Sequence, residues 1–184
     1  MESVYFHPGD LEREAVTDTE SLKSEIAEAT AVLEAACDLV VENISDDWST
    51  YDKYRYFAVF IALRTQYDYA GAQLDTPVST AYTAVISGSA VCYGYTVAFD
   101  YLCEKANLWS EKVDGWDLEY ERHIWNFVKL DSGTYHVDVT WLDGDEYYMF
   151  TSWPSYFMLT QDEIEYDHVI MDGTVATGTE ISLP

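Results

Sequence analysis

The sequence predicts an α+β domain, with helices first and an antiparallel sheet after them, on three observations. Residues 20–66 carry apolar side chains at helical spacing, a further helix opens near Cys92, and from Trp125 onward the period falls to two. Helices in one run and strands in the next pack as segregated layers, not as alternating βαβ units. The chain of 184 residues is one domain's length, and a 48% hydrophobic content is enough for a core.

Residues 1–19, polar and acidic around Pro8-Gly9, read as a poorly structured entry to a domain spanning 20–172. Leu22, Ile26, Ala29, Leu33, Ala36 and Val40 recur every three or four positions and mark one face of a first helix, with Cys37 a small core residue beside it. Ser49-Thr50-Tyr51-Asp52 has the form of a capping box and starts a second helix through Tyr56, Phe57, Phe60, Ile61 and Leu63, which closes the helical part at 66. Residues 67–80, with Gly71, Asp75 and Pro77, form a loop. A helical turn at Ala81–Ile86 leads through Ser87-Gly88-Ser89 into a third helix, Cys92 to about Ala106, that ends at Asn107. The sheet occupies 108–172. Its hairpin alternates from Trp125 to Leu130, turns at Asp131-Ser132-Gly133, and continues with Tyr135, Val137, Val139 and Trp141 on one face and His136 and Asp138 on the other. Short strands follow at Tyr147–Thr151 and Tyr156–Leu159, and residues 173–184 are an edge strand or a linker.

Charge narrows the partners. Asp and Glu number 34 against 9 Lys and Arg, a net −25, and this field repels phosphate backbones, so no nucleic acid is expected. A protein or peptide substrate of cationic character suits it. No segment is long and apolar enough to cross a membrane. Met1-Glu2-Ser3 is no signal peptide, so the start fits a cytosolic protein or a domain of a longer extracellular or cell-surface one. Three scattered cysteines, Cys37, Cys92 and Cys103, make neither a disulfide framework nor a zinc knuckle.

The chemistry concentrates at three places. A Cys at the start of a helix meets unpaired backbone N–H groups and the positive end of the helix dipole, which favour the thiolate. Cys92 has that position, with Gly94 leaving room for a substrate to approach. The same N–H groups can hold an oxyanion. A thiol nucleophile also needs a base that returns its proton to the leaving group, and His123 at the start of a strand suits that role. Asp138 on the neighbouring strand comes alongside His123 after a small register offset or bulge, where it can fix the imidazole tautomer. His136 lies too close to Asp138 on one strand to be the base and reads as a flanking residue. His168 and His7 show no partner, and the second oxyanion donor stays open between Tyr82, Tyr67 and Trp48. No cofactor motif is present. A metal is not expected either, since three candidate ligands lack a second Cys or His motif.

Three blocks, Ala90-Val91-Cys92-x-Gly94-Tyr95, His123-x-Trp125-Asn126 and Asp138-Val139-Thr140-Trp141, together resemble the transglutaminase-like core of the papain-like superfamily, in its bacterial branch. Tyr67-Asp68, Thr80-Ala81-Tyr82, Tyr156-Phe157 and Asp167-His168 are also similar, so the resemblance covers roughly residues 45–170. It implies a Cys92-bearing helix packed on an antiparallel sheet that presents His123 and Asp138, and thioester chemistry on glutamine side chains or peptide bonds. Hydrolysis is favoured, because water is always at hand. The alternatives are a cross-linking transglutaminase and a non-catalytic module that binds peptides or wall polymers on the same fold.

Overall fold

The structure is a computed structural model and describes residues 19–73, 79–143, 156–171 and 173–181. The expected entry segment up to residue 18 and the expected strand at Tyr147–Thr151 lie outside the described residues.

Helix α1 spans Thr19–Glu42. Its apolar stripe is buried only toward the C-terminal end, at Cys37 and Val40, where the helix lies against the Cys92 helix; Leu22 and Ile26 are exposed. Helix α2 spans Thr50–Arg64 and starts as expected. Ser49 Oγ accepts from Asp52 N–H and the Asp52 carboxylate accepts from Ser49 N–H, both at 3.1 Å. Such a cap stabilises a helix by about 1 kcal/mol. Tyr54, Phe57, Ala58, Ile61 and Ala62 form its buried face. Leu63, expected inward, sits a half-turn away from that face and is exposed.

Helix α3, Cys92–Lys105, is the central element. Tyr95, Ala98, Phe99, Leu102 and Cys103 are fully buried because α2 covers one side and the sheet the other. The helix ends where Asn107 takes a left-handed φ of 55°. Two short strands precede it, β1 (Gln66–Tyr67) and β2 (Ser89–Ala90), paired in parallel, with a π-helical turn at Thr83–Ser87 between them.

The main sheet contains β3 (Ser110–Asp117), β4 (Arg122–Leu130), β5 (Gly133–Val137), β6 (Phe157–Leu159) and β7 (His168–Ile170). Its order is β6-β5-β4-β3-β7, antiparallel throughout. Strand β3 is invisible to a periodicity reading, since Val113 and Gly115 are its only buried positions among charged neighbours. Gly115 is required there: a Cβ would run into the Trp125 ring and the Val169 carbonyl. The β4–β5 hairpin pairs Leu130 with Gly133 through Asn126 with Val137.

That second strand does not continue to Trp141. It stops at Val137, and Val139–Asp143 coil into a short helix, α4. Asp138 causes the change, for its Oδ1 accepts from the N–H groups of Thr140 (3.0 Å) and Trp141 (3.2 Å), as a helix N-cap does. In the tail, Thr177 and Gly178 hydrogen-bond Thr134 at the start of β5 without forming a regular strand.

Candidate active site

The approach to Cys92 is built from short-range hydrogen bonds. Gln66 N–H donates to Gly88 O and Asp68 N–H to Ala90 O, which sets Tyr67 beside the segment entering α3. Ser79 Oγ accepts from Val91 N–H (3.1 Å) and lies 3.3 Å from Val91 O, fixing the residue before the nucleophile candidate. Val91 is the N-cap in extended conformation and no side chain caps the helix, so the N-terminal N–H groups at Cys92 are left for other partners. Cys92 is a free thiol, partly exposed, whereas Cys37 and Cys103 are free and buried. Burial pushes the Cys37 thiol up to about 11 and that of Cys103 well above its ordinary value. Gly94 serves packing, not substrate entry: it is buried, and a Cβ there would strike Ser79 Oγ and Ala90 Cβ.

Thr96 ties the helix to the sheet. Its hydroxyl lies 2.9 Å from both Cys92 O and Ile124 O, so it bridges the first turn of α3 and the strand residue after His123. Asn126 Nδ2 reinforces this by donating to Thr96 O at 3.2 Å. Sequence reasoning passed over Thr96, although a Thr four residues beyond the Cys is placed to return a bond to that residue's carbonyl.

His123, on β4 opposite Gly115, is 8% exposed. Its Nε2 is 2.7 Å from Asp138 Oδ2, and its ring stacks on Trp125 at 5.8 Å between centroids. Burial, the largest single influence, pulls the His123 pKa down; the Asp138 carboxylate and then the hydrogen-bonded Cys92 side chain outweigh it and carry it up to about 10. Asp138 is fully buried. Burial pushes its carboxyl up, but His123 and His168 override this and hold it well below the usual carboxylate range. The structure thus brings Cys92, His123 and Asp138 together, with Asp138 at the strand's end instead of within it.

His168 is the residue whose partners the sequence did not reveal. Its Nε2 is 3.1 Å from Asp138 Oδ2 and its Nδ1 is 2.6 Å from Asp167 Oδ1. The signal was the Asp167-His168 pair itself. His136 is a buried packing residue: its Nδ1 accepts from Trp125 Nε1 at 3.0 Å, and its ring rests on Phe127. His123, Asp138 and His168 have their ligand-type atoms within 4.8 Å of one another, a spacing a metal ion can bridge. Each of those atoms is already hydrogen-bonded within the group, so the cluster is complete as a hydrogen-bonded set.

A cleft of about 840 Å³ opens over His123. Tyr67, Tyr69, Trp141 and Tyr156 supply aromatic walls, and Asp117, Glu121 and Asp143 supply carboxylates. Burial first, then Cys92 and Glu121, push the Tyr67 phenol up to about 12, so it keeps its proton. Thr140 also lines the cleft, but its Oγ1 is buried and has no hydrogen-bond partner among the described residues.

Two solved structures share this arrangement of helices and sheet. A transglutaminase matches with a TM-score of 0.52 at 17% identity, over 72% of this chain and 36% of that one. A candidate cysteine protease of Cytophaga hutchinsonii matches with a TM-score of 0.52 at 12% identity, over 82% of this chain and 47% of that one. The fold is transglutaminase-like. The sequence matches no protein-family model and no curated protein. The chain spans less than half the length of either structural neighbour.

Proposed function

We propose that this transglutaminase-like domain is a thiol-dependent acyl-transfer enzyme that attacks an amide bond, in a peptide backbone or a glutamine side chain, and passes the acyl group to water. The observation that carries the reading is the position of His123, within electrostatic reach of Cys92 on one side and 2.7 Å from Asp138 on the other. Cys92 Sγ attacks the carbonyl carbon, and His123, holding the thiol's proton, gives it to the departing amine. The C–N bond breaks and a thioester remains. Water then adds to the thioester as His123 takes one of its protons, and the proton returns to the sulfur as the acid leaves.

The uncapped first turn of α3 supplies Cys92 N–H to the oxyanion. Of the three candidates for a second donor, Tyr67 is favoured, because it lines the cleft and lies within electrostatic reach of Cys92. Carboxylates along the aromatic cleft favour a cationic peptide. A cleft open to solvent beside His123 favours water over an exclusive amine acceptor.

The test is single-turnover release of amine from lysine-flanked glutamine peptides and their cleavage products, with a primary amine added in a parallel series. Release without amine incorporation, abolished in Cys92→Ala, is the expected result. Incorporation that outruns release would convert the reading to cross-linking. Neither product from any peptide, with Cys92 intact, would sink the enzyme reading in favour of a binding module.

A further inference from the structure

We propose that His168 is a positioning residue of this site: a ring that donates from both nitrogens, pins Oδ2 of Asp138 against His123 and takes up part of its negative charge. The inference rests on the reading of Cys92, His123 and Asp138 as the reacting groups.

Asp138 has no spare acceptor. Oδ1 receives the N–H groups of Thr140 and Trp141, and Oδ2 receives His123 Nε2 and His168 Nε2. An ionised carboxylate only accepts, so His168 Nε2 must donate. At the other end of the ring, Nδ1 meets Asp167 Oδ1, and Asp167 Oδ2 accepts from Tyr156 O–H at 2.8 Å. Acceptors at both ends are satisfied together only by a ring carrying two protons. Such a ring is a buried cation between two carboxylates, which compensates its charge where solvent cannot.

The surroundings hold it still. Trp125 meets the ring edge-on at 4.8 Å and Trp141 lies at 4.4 Å, while β7 fixes the backbone by pairing His168 with Asp117 on β3. Among the described residues, the titratable groups facing His168 are Asp138, Asp167, His123 at 5.3 Å between ring centroids, and Tyr156 at 6.2 Å. Its strand partner Asp117 turns its carboxylate to the N–H groups of Glu119 and Glu121. His136 stands behind Trp125.

A second positive ring on the same carboxylate oxygen has a direct effect on His123. It divides the charge of Asp138 and opposes the positive charge of His123 itself. The proton on His123 is therefore held in place yet remains transferable to a departing amine. A carboxylate facing His123 alone would grip that proton harder and slow the step.

Two measurements test this. In wild-type protein labelled with 15N-histidine, both ring nitrogens of His168 should be protonated at neutral pH, with the signal assigned by its loss in His168→Gln. In His168→Gln, which keeps an N–H donor but no charge, the upper inflection of the Cys92 alkylation–pH profile should rise by roughly half a unit or more. Amine release should fall severalfold, and further in His168→Leu, which has no donor. Asp167→Asn, which leaves the ring in place, should shift the profile the same way by less and serves where His168 variants do not fold. A bare nitrogen on His168, or an unmoved profile in folded His168→Gln and Asp167→Asn proteins, overturns the inference and leaves the amide chemistry standing. A profile that moves as expected in a protein that releases amine from no peptide supports the inference and removes the amide reading.

Discussion

Replacing Asp138 with Asn probes the site most sharply, because Asp138 uses both of its oxygens as acceptors and Asn has only one. Oδ1 holds the first turn of α4, and Oδ2 faces His123 and His168. If the Asn oxygen stays on the α4 N–H groups, its NH₂ meets His123 Nε2. The ring must then carry its proton on the nitrogen facing Cys92 and can no longer take one from the thiol. A wrong tautomer of this kind lowers turnover by roughly 10²–10⁴-fold, or about 3–5 kcal/mol of barrier. If the amide flips instead, His123 keeps an acceptor, but the α4 N–H groups lose theirs at about 1–3 kcal/mol of stability. Single-turnover amine release and a thermal melt on the same Asp138→Asn preparation distinguish the two, and a loss must show in at least one. Wild-type rate together with wild-type melting would refute the assignment of Asp138.

Cys92 should react with iodoacetamide long before Cys37 and Cys103, which are buried and whose pKa values burial raises; equal rates for the three in mass spectra of folded protein would count against an activated thiol. His136→Ala should lower the melting temperature, because it leaves Trp125 Nε1 without its acceptor in a buried pocket, while amine release stays far above that of His123→Ala; two equally dead variants would mean the base is wrongly assigned. Stability should also follow the buried His123–Asp138 pair. The His123 pKa is raised from 6.5 to about 10, so its contribution is full below about 6.5 and disappears as pH rises through about 10. The Asp138 pKa is lowered, so its contribution is present above the ordinary carboxylate range and disappears as pH falls below it. Melting temperatures of wild type and His123→Gln across pH 4–11 should therefore differ most at mildly acidic pH, below about 6.5, and converge as pH rises through about 10; a constant gap would contradict the pairing.

What was legible in the sequence was whatever local chemistry writes locally. The capping box at Ser49, the Cys at a helix start and the turn at Asp131-Ser132 each depend on neighbours a few residues away, and all three stand in the structure. Strand β3 was not legible, because its inward positions are one Val and one Gly and its pairing is decided by β4 and β7 on either side. Asp138 was half legible. Alternation carried its strand through to Trp141, but a buried aspartate that can bind two following N–H groups is a better helix start than a strand residue. That choice also explains the register. Hairpin pairing would place Asp138 opposite Trp125, two residues short of His123, and no strand geometry aims it back. Ending the strand at Val137 frees the side chain to turn, so one carboxylate starts α4 with Oδ1 and meets His123 and His168 with Oδ2. His168 stayed silent for the complementary reason. Its partners lie on β5's end and on its own preceding residue, and only the closed sheet, with β7 laid on β3, brings the first of them within reach.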